Sequence, residues 1–224
     1  MNSIIKFIAF LCLAASLLLF ISSSNMVIIA VAGAIIITAS FLLSEMMIDK
    51  EKAEKISFES EEIYLIKQTS PVSADNSFYS RTVGILKPVI VFDKDKFYSM
   101  PEAEKKALIY HEKYHVSEHH QLKRFILYAG MTALFICVRL FAEQENTLFI
   151  IIGFFLLAAY IAFFILFFRK NEYDADMYSV TEMKESDTLS AFLENSLKNS
   201  VSKGLSLHPS VEKRIRNISQ YKKS

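Results

Sequence analysis

Five consecutive residues, His111-Glu112-Lys113-Tyr114-His115, have the types and spacing to do chemistry. They read H-E-x-x-H. On a helix, positions i and i+4 share a face, so His111 and His115 can grip one zinc ion while Glu112 reaches its bound water. Zinc held by three protein ligands keeps a fourth position for that water and lowers its pKa toward ~7. Glu112 would then take the water's proton as general base and later protonate the leaving amine. The competing reading of the same residues is a plain polar helix face.

The motif needs a helix to carry it. Ser99-Met-Pro-Glu102 has the S-x-x-E spacing of a capping box, with Pro101 in the first turn, where its missing N–H costs nothing. No Gly or Pro follows until beyond Lys123, which predicts one continuous helix to about that point. Ala107, Leu108 and Tyr114 would help bury the motif's surroundings. On such a helix His119 lies about 12 Å from His111, too far to share one ion. His119 and His120 are therefore read as surface or interfacial residues.

The elements around this helix are strongly apolar. The chain is 52% hydrophobic, and its apolar residues cluster into four stretches near 4–21, 26–43, 125–141 and 147–168. Each approaches the ~20 residues that a spanning helix needs. The first resembles a signal peptide, but a second apolar stretch follows at once, which favours an uncleaved hairpin. Of the 25 Lys and Arg, thirteen lie between the second and third stretches and ten after the fourth. The short turns at 22–25 and 142–146 contain neither. The positive-inside rule then places both termini and the large middle loop in the cytoplasm. A net charge of +1 gives no support to a nucleic-acid partner. Cys12 and Cys137 both lie in apolar stretches and form no disulfide framework. Arg139, near the outer end of its span, is read as snorkelling to the interface.

Topology helps to find a third ligand. Two crossings return the chain to the side it left, so the segment after the fourth stretch shares a compartment with the motif. There Asn171-Glu172-Tyr173-Asp174-Ala175-Asp176 offers Glu172 as the third ligand. Asp176, one turn beyond on the same face, is placed to accept a hydrogen bond from a ligating imidazole.

Taken together, H-E-x-x-H, a two-span hairpin, Glu172-Tyr-Asp-Ala-Asp176 and His208-Pro-Ser-Val-Glu-Lys-Arg214-Ile resemble the HtpX-type membrane metallopeptidases, relatives of the CAAX prenyl endopeptidases. The likeness covers most of the chain. The stretch from Ser77-Phe78 through Gly84-Ile-Leu-Lys-Pro-Val-Ile is also similar to BlaR/MecR-type sensor peptidases. The resemblance implies Zn²⁺, one per chain, on His111, His115 and Glu172, with Glu112 as base and Asp176 supporting a ligand. It also places His208 near the site as an oxyanion donor, with Tyr173 a weaker candidate. Arg214 is expected to support that loop or to contact the oxyanion, unless it is a surface ion pair. An edge strand among 78–92 would align an extended substrate, with Asn76 and Phe78 as contacts.

These readings predict a mainly α membrane protein. Four transmembrane helices would carry a cytosolic zincin-like α+β domain with a small sheet. Residues 1–44 form an N-terminal hairpin and 45–124 the catalytic part with the sheet and motif helix. Residues 125–168 form a second hairpin, and 169–224 a helical part that completes the zinc site. Short strands are expected at 56–59, 63–68, 79–86 and 88–92, with a bend at Gly84, and late helices at 188–199 and from about Pro209. The expected activity is cleavage of membrane proteins or membrane-associated peptides at the cytosolic face of a bacterial inner or plasma membrane, in quality control. The alternatives are a signalling peptidase that cuts one regulator and a non-enzymatic protein with a structural zinc.

Overall fold

The computed structural model describes residues 16, 25–45, 53–67, 79–142, 147–199 and 209–221. The described elements run α1 (Met26–Glu45), β1 (Glu54–Phe58), β2 (Glu61–Ile66), β3 (Ser80–Val83), β4 (Val89–Asp93) and α2 (Lys94–Ser99). They continue with α3 (Glu102–Ser117), α4 (His120–Ala142), α5 (Thr147–Met183), α6 (Asp187–Asn199) and α7 (Val211–Tyr221). The molecule is thus mostly helical with one small sheet. The expected first span at 4–21 lies outside the described residues, except for Ser16.

The chain divides into two compact units. One comprises Met1–Asp49, Gly84–Leu86 and Gln121–Phe164. Its helices meet at small residues: a Cβ on Gly33 would collide with Ile136 Cδ1, and one on Gly130 would fall 2.6 Å from the Tyr160 hydroxyl. That hydroxyl donates to the Leu127 carbonyl at 2.8 Å. Without water as a driving force, apolar helices associate through such close contacts and interhelical hydrogen bonds. Among the described residues, α4 over His120–Arg139 and α5 are long and apolar enough to cross a membrane. The second expected span falls on α1, whose apolar stretch Val31–Ser40 is shorter. Phe154, Phe155, Leu156 and Leu166 are all exposed, as a lipid-facing surface would be.

The other unit comprises Lys50–Val83, Lys87–His120 and Ile165–Ser224. Its sheet has the order β1-β2-β4-β3, which leaves β3 at an edge. β1 and β2 form an antiparallel hairpin whose two turn residues, Glu59 and Ser60, both take positive φ (49° and 67°). That conformation matches the twist of a two-residue hairpin. β2 pairs parallel to β4, and β3 antiparallel to β4. Alternation turns Ile63 and Leu65 of β2 into the core beside Ile90 and Phe92 of β4. Phe97 of α2 meets Phe92 edge-on at 5.2 Å. Ala107, Leu108 and Ile109 of α3, Val180 of α5, Leu189 and Leu193 of α6 and Ile218 of α7 complete this core.

The four strands and the late helices fall where the sequence places them, within a few residues. Gly84 bends the chain as expected, at φ 96°. Two expectations about the motif helix fail. Ser99 does not cap it. Its hydroxyl instead donates to the Lys96 carbonyl inside α2, and Pro101 occupies the cap without a side-chain bond. Nor does the helix run on to Lys123. It stops at Ser117, and His119 at φ 50° turns the chain before α4 begins.

Candidate metal centre

α3 positions the central residues because its apolar side is fixed first. Ala107, Leu108 and Ile109 pack into the core, and the 3.6-residue period then turns His111, Glu112 and His115 inward as well. All three are less than a tenth exposed. The two imidazoles lie edge to face, with ring centroids 4.9 Å apart. Their Nε2 atoms are 3.2 Å apart.

α5 supplies the facing wall. Glu172, Asp176 and Ser179 recur at the spacing of one helix face, and all three are buried. Ser179 donates to the Ala107 carbonyl at 2.7 Å, which fixes how α5 sits against α3. Glu172 then directs Oε2 to 3.7 Å from His111 Nε2 and Oε1 to 3.6 Å from His115 Nε2. One ligand atom from each of His111, His115 and Glu172 lies within 4.8 Å of the others.

The outer nitrogens of both imidazoles are engaged. His111 Nδ1 lies 3.0 Å from Asp176 Oδ1. Arg214 of α7 grips the same carboxylate, its Nε donating to Oδ2 at 2.7 Å and its Nη2 to Oδ1. Burial pushes the Asp176 carboxyl up, but the Arg214 guanidinium and His111 outweigh it and hold the group below the usual Asp value. Burial likewise opposes a charged His111, yet the Asp176 carboxylate raises it above the ordinary histidine value. On the other side, His115 Nδ1 lies 2.6 Å from His120 Nδ1. Of the surface or interfacial placements expected for His120, the surface one fails: it is a buried partner of His115, because the turn at His119 swings it back under α3. His119 itself is exposed, as expected.

This donor set fits zinc. Two ligand nitrogens on a tetrahedral ion with bonds of ~2.1 Å stand about 3.4 Å apart, close to the separation of these Nε2 atoms. With Asp176 and His120 beside the two Nδ1 atoms, both Nε2 atoms face Glu172. Three ligands also leave a fourth position open, as a catalytic site requires.

Glu112 faces a different element. Ser80 Oγ donates to its Oε1 at 2.9 Å, and Thr82 Oγ1 to its Oε2 at 2.8 Å. Sequence reading passed over Ser80, Thr82 and His120. The signal for the first two was the Ser-x-Thr alternation on an expected strand; for His120 no local signal marked the turn. Arg214, read as a support for the His208 loop, an oxyanion contact or a surface ion pair, is found on the buried Asp176, with Nη1 3.9 Å from Glu172. Tyr173 is half-buried beside the ligand. Asn76, Phe78 and His208 lie outside the described residues.

No curated protein and no solved structure matches the chain. The family model for Peptidase family M48 does match, over residues 43–222, a range that holds the strands, the motif helix, Glu172 and Arg214. Because that match spans most of the sequence and enters with the very residues that build the buried cluster, the chain belongs to Peptidase family M48 and is a metallopeptidase.

Proposed function

We propose that this protein is an integral-membrane zinc endopeptidase that cleaves membrane proteins or membrane-associated peptides on the cytosolic side. The observation that carries the reading is the buried group of His111, His115 and Glu172 with Glu112 adjoining it. A zinc ion bound there would supply Lewis-acid polarisation of the scissile carbonyl and an acidified water.

The chain's own residues do the rest. Glu112 takes a proton from the attacking water and returns it to the leaving amine. Asp176 and His120 hold the two imidazoles with Nε2 facing inward, and Arg214 keeps Asp176 ionised and in place. His208 donates to the developing oxyanion, and Arg214 approaches Glu172 from α7. An extended substrate pairs with the outer edge of β3, contacting Asn76 and Phe78.

The membrane setting shapes the substrate. Glu172 follows the apolar part of α5 by four residues, about 6 Å of helix. The excess of Lys and Arg in the middle loop and after 168 supports a cytosolic site with both termini on the same side. Segments tethered to the bilayer reach such a site more readily than free proteins do, which suits quality control or processing of membrane proteins. The test is to reconstitute the purified protein, measure its zinc content, and compare cleavage of one peptide sequence free in solution and anchored to the same vesicles. One zinc per chain and preferred cleavage of the anchored peptide are expected. A zinc-free active enzyme, or equal rates on both peptides, overturns the metal or the membrane part of the proposal respectively.

A further inference from the structure

We infer that Ser80 and Thr82 are positioning residues for Glu112, so that the edge strand sets the direction of the general base. The inference rests on the proposed role of Glu112. β3 has a side-chain period of two, which puts Ser80 and Thr82 on one face and Arg81 and Val83 on the other. Both hydroxyls on the first face reach the same carboxylate, each on a different oxygen, at 2.9 and 2.8 Å. Thr82 and Glu112 are both 6% exposed, so little water competes for these bonds.

Two donors on separate oxygens do what one cannot. A glutamate has three side-chain torsions, and the last of them is broad. A single hydrogen bond leaves the carboxylate free to rotate about it. A pair fixes both its position and its plane. A carboxylate accepts about four hydrogen bonds, so two hydroxyls leave lone pairs on each oxygen for a water and for an amine. Each hydroxyl is also neutral, and holds Glu112 without forming an ion pair that would compete for its charge.

The placement has a consequence for specificity. Among the described residues, β3 pairs with β4 and stands at the edge of the sheet. The strand whose side chains hold the base is therefore the one whose backbone borders a substrate seated by strand addition. Displacing β3 misdirects Glu112 without touching a metal ligand.

The test uses the full-length protein and the substitutions Ser80→Ala, Thr82→Val, both together, and Thr82→Ser, with Glu112→Gln beside them. Thr82→Val keeps the shape and removes only the hydroxyl. Each single loss of a hydroxyl is expected to lower kcat about tenfold and the pair about a hundredfold. KM and zinc content should stay at wild-type values, since the interaction belongs to the chemical step. Thr82→Ser should recover most of kcat. Ser80→Ala, at a half-buried position, reads the same effect independently of how the Thr82 site tolerates valine. Full kcat in the double variant while Glu112→Gln is inactive overturns this inference alone. So does a loss in kcat that Thr82→Ser fails to recover, or one expressed through KM or zinc content. Wild-type cleavage by Glu112→Gln overturns the reading beneath it as well.

Discussion

Asp176 carries more of this site than its place outside the ligand set suggests. It is fully buried, and a buried carboxylate is stable only when paired and hydrogen-bonded. Arg214 provides two bonds and His111 a third contact. Arg214→Met removes the cation and leaves that charge uncompensated, so it should cost about 3–5 kcal/mol of stability, read from urea unfolding of the metal-free protein. A variant as stable as wild type would show that Asp176 is satisfied by other means. His120 faces the second imidazole at Nδ1. His120→Phe keeps the ring and removes the nitrogen facing His115, and should weaken zinc binding by ~10–100-fold in competition with a chelator. Unchanged affinity would mean that His115 is oriented by its packing alone. Glu172→Ala should lower zinc occupancy outright, and full occupancy would assign the third ligand elsewhere.

At the level of elements, the site depends on two helices meeting in one register. α3 and α5 come from distant parts of the chain, and Ser179 to the Ala107 carbonyl is a buried bond between them. Ser179→Ala should cost about 1 kcal/mol in thermal or urea unfolding, with reduced zinc affinity as the helices lose their register. A loss of stability with full affinity would show that Glu172 finds its place independently. What the sequence made legible here follows from periodicity. Ile63 and Leu65, alternating with polar residues, mark β2; His111 and His115, one turn apart, mark a helix face; Glu172 and Asp176 mark another. What it hid was tertiary or conformational. The parallel pairing of β2 with β4 joins strands far apart in sequence. The turn at His119 uses a positive φ that no Gly announces, so the helix reads as continuous and His120 as a surface or interfacial residue. Ser99 matches a cap by spacing, but it already belongs to the helix before.

For the whole molecule, a family of metallopeptidases, a buried donor set and two helices able to cross a membrane converge on one account. Net charge is close to zero while the basic residues collect in two segments, so it is their distribution and not their number that argues for a cytosolic site. Glu172 meets the motif although 56 residues of chain lie between His115 and itself. The central claim is that Glu112 performs the proton transfers at a metal held by its neighbours. The most direct test compares wild type and Glu112→Gln for zinc content and peptide cleavage. Glutamine keeps the shape and cannot accept the proton, so zinc should be retained while cleavage falls by about 10²–10⁴-fold. Equal cleavage by the two proteins would contradict the account.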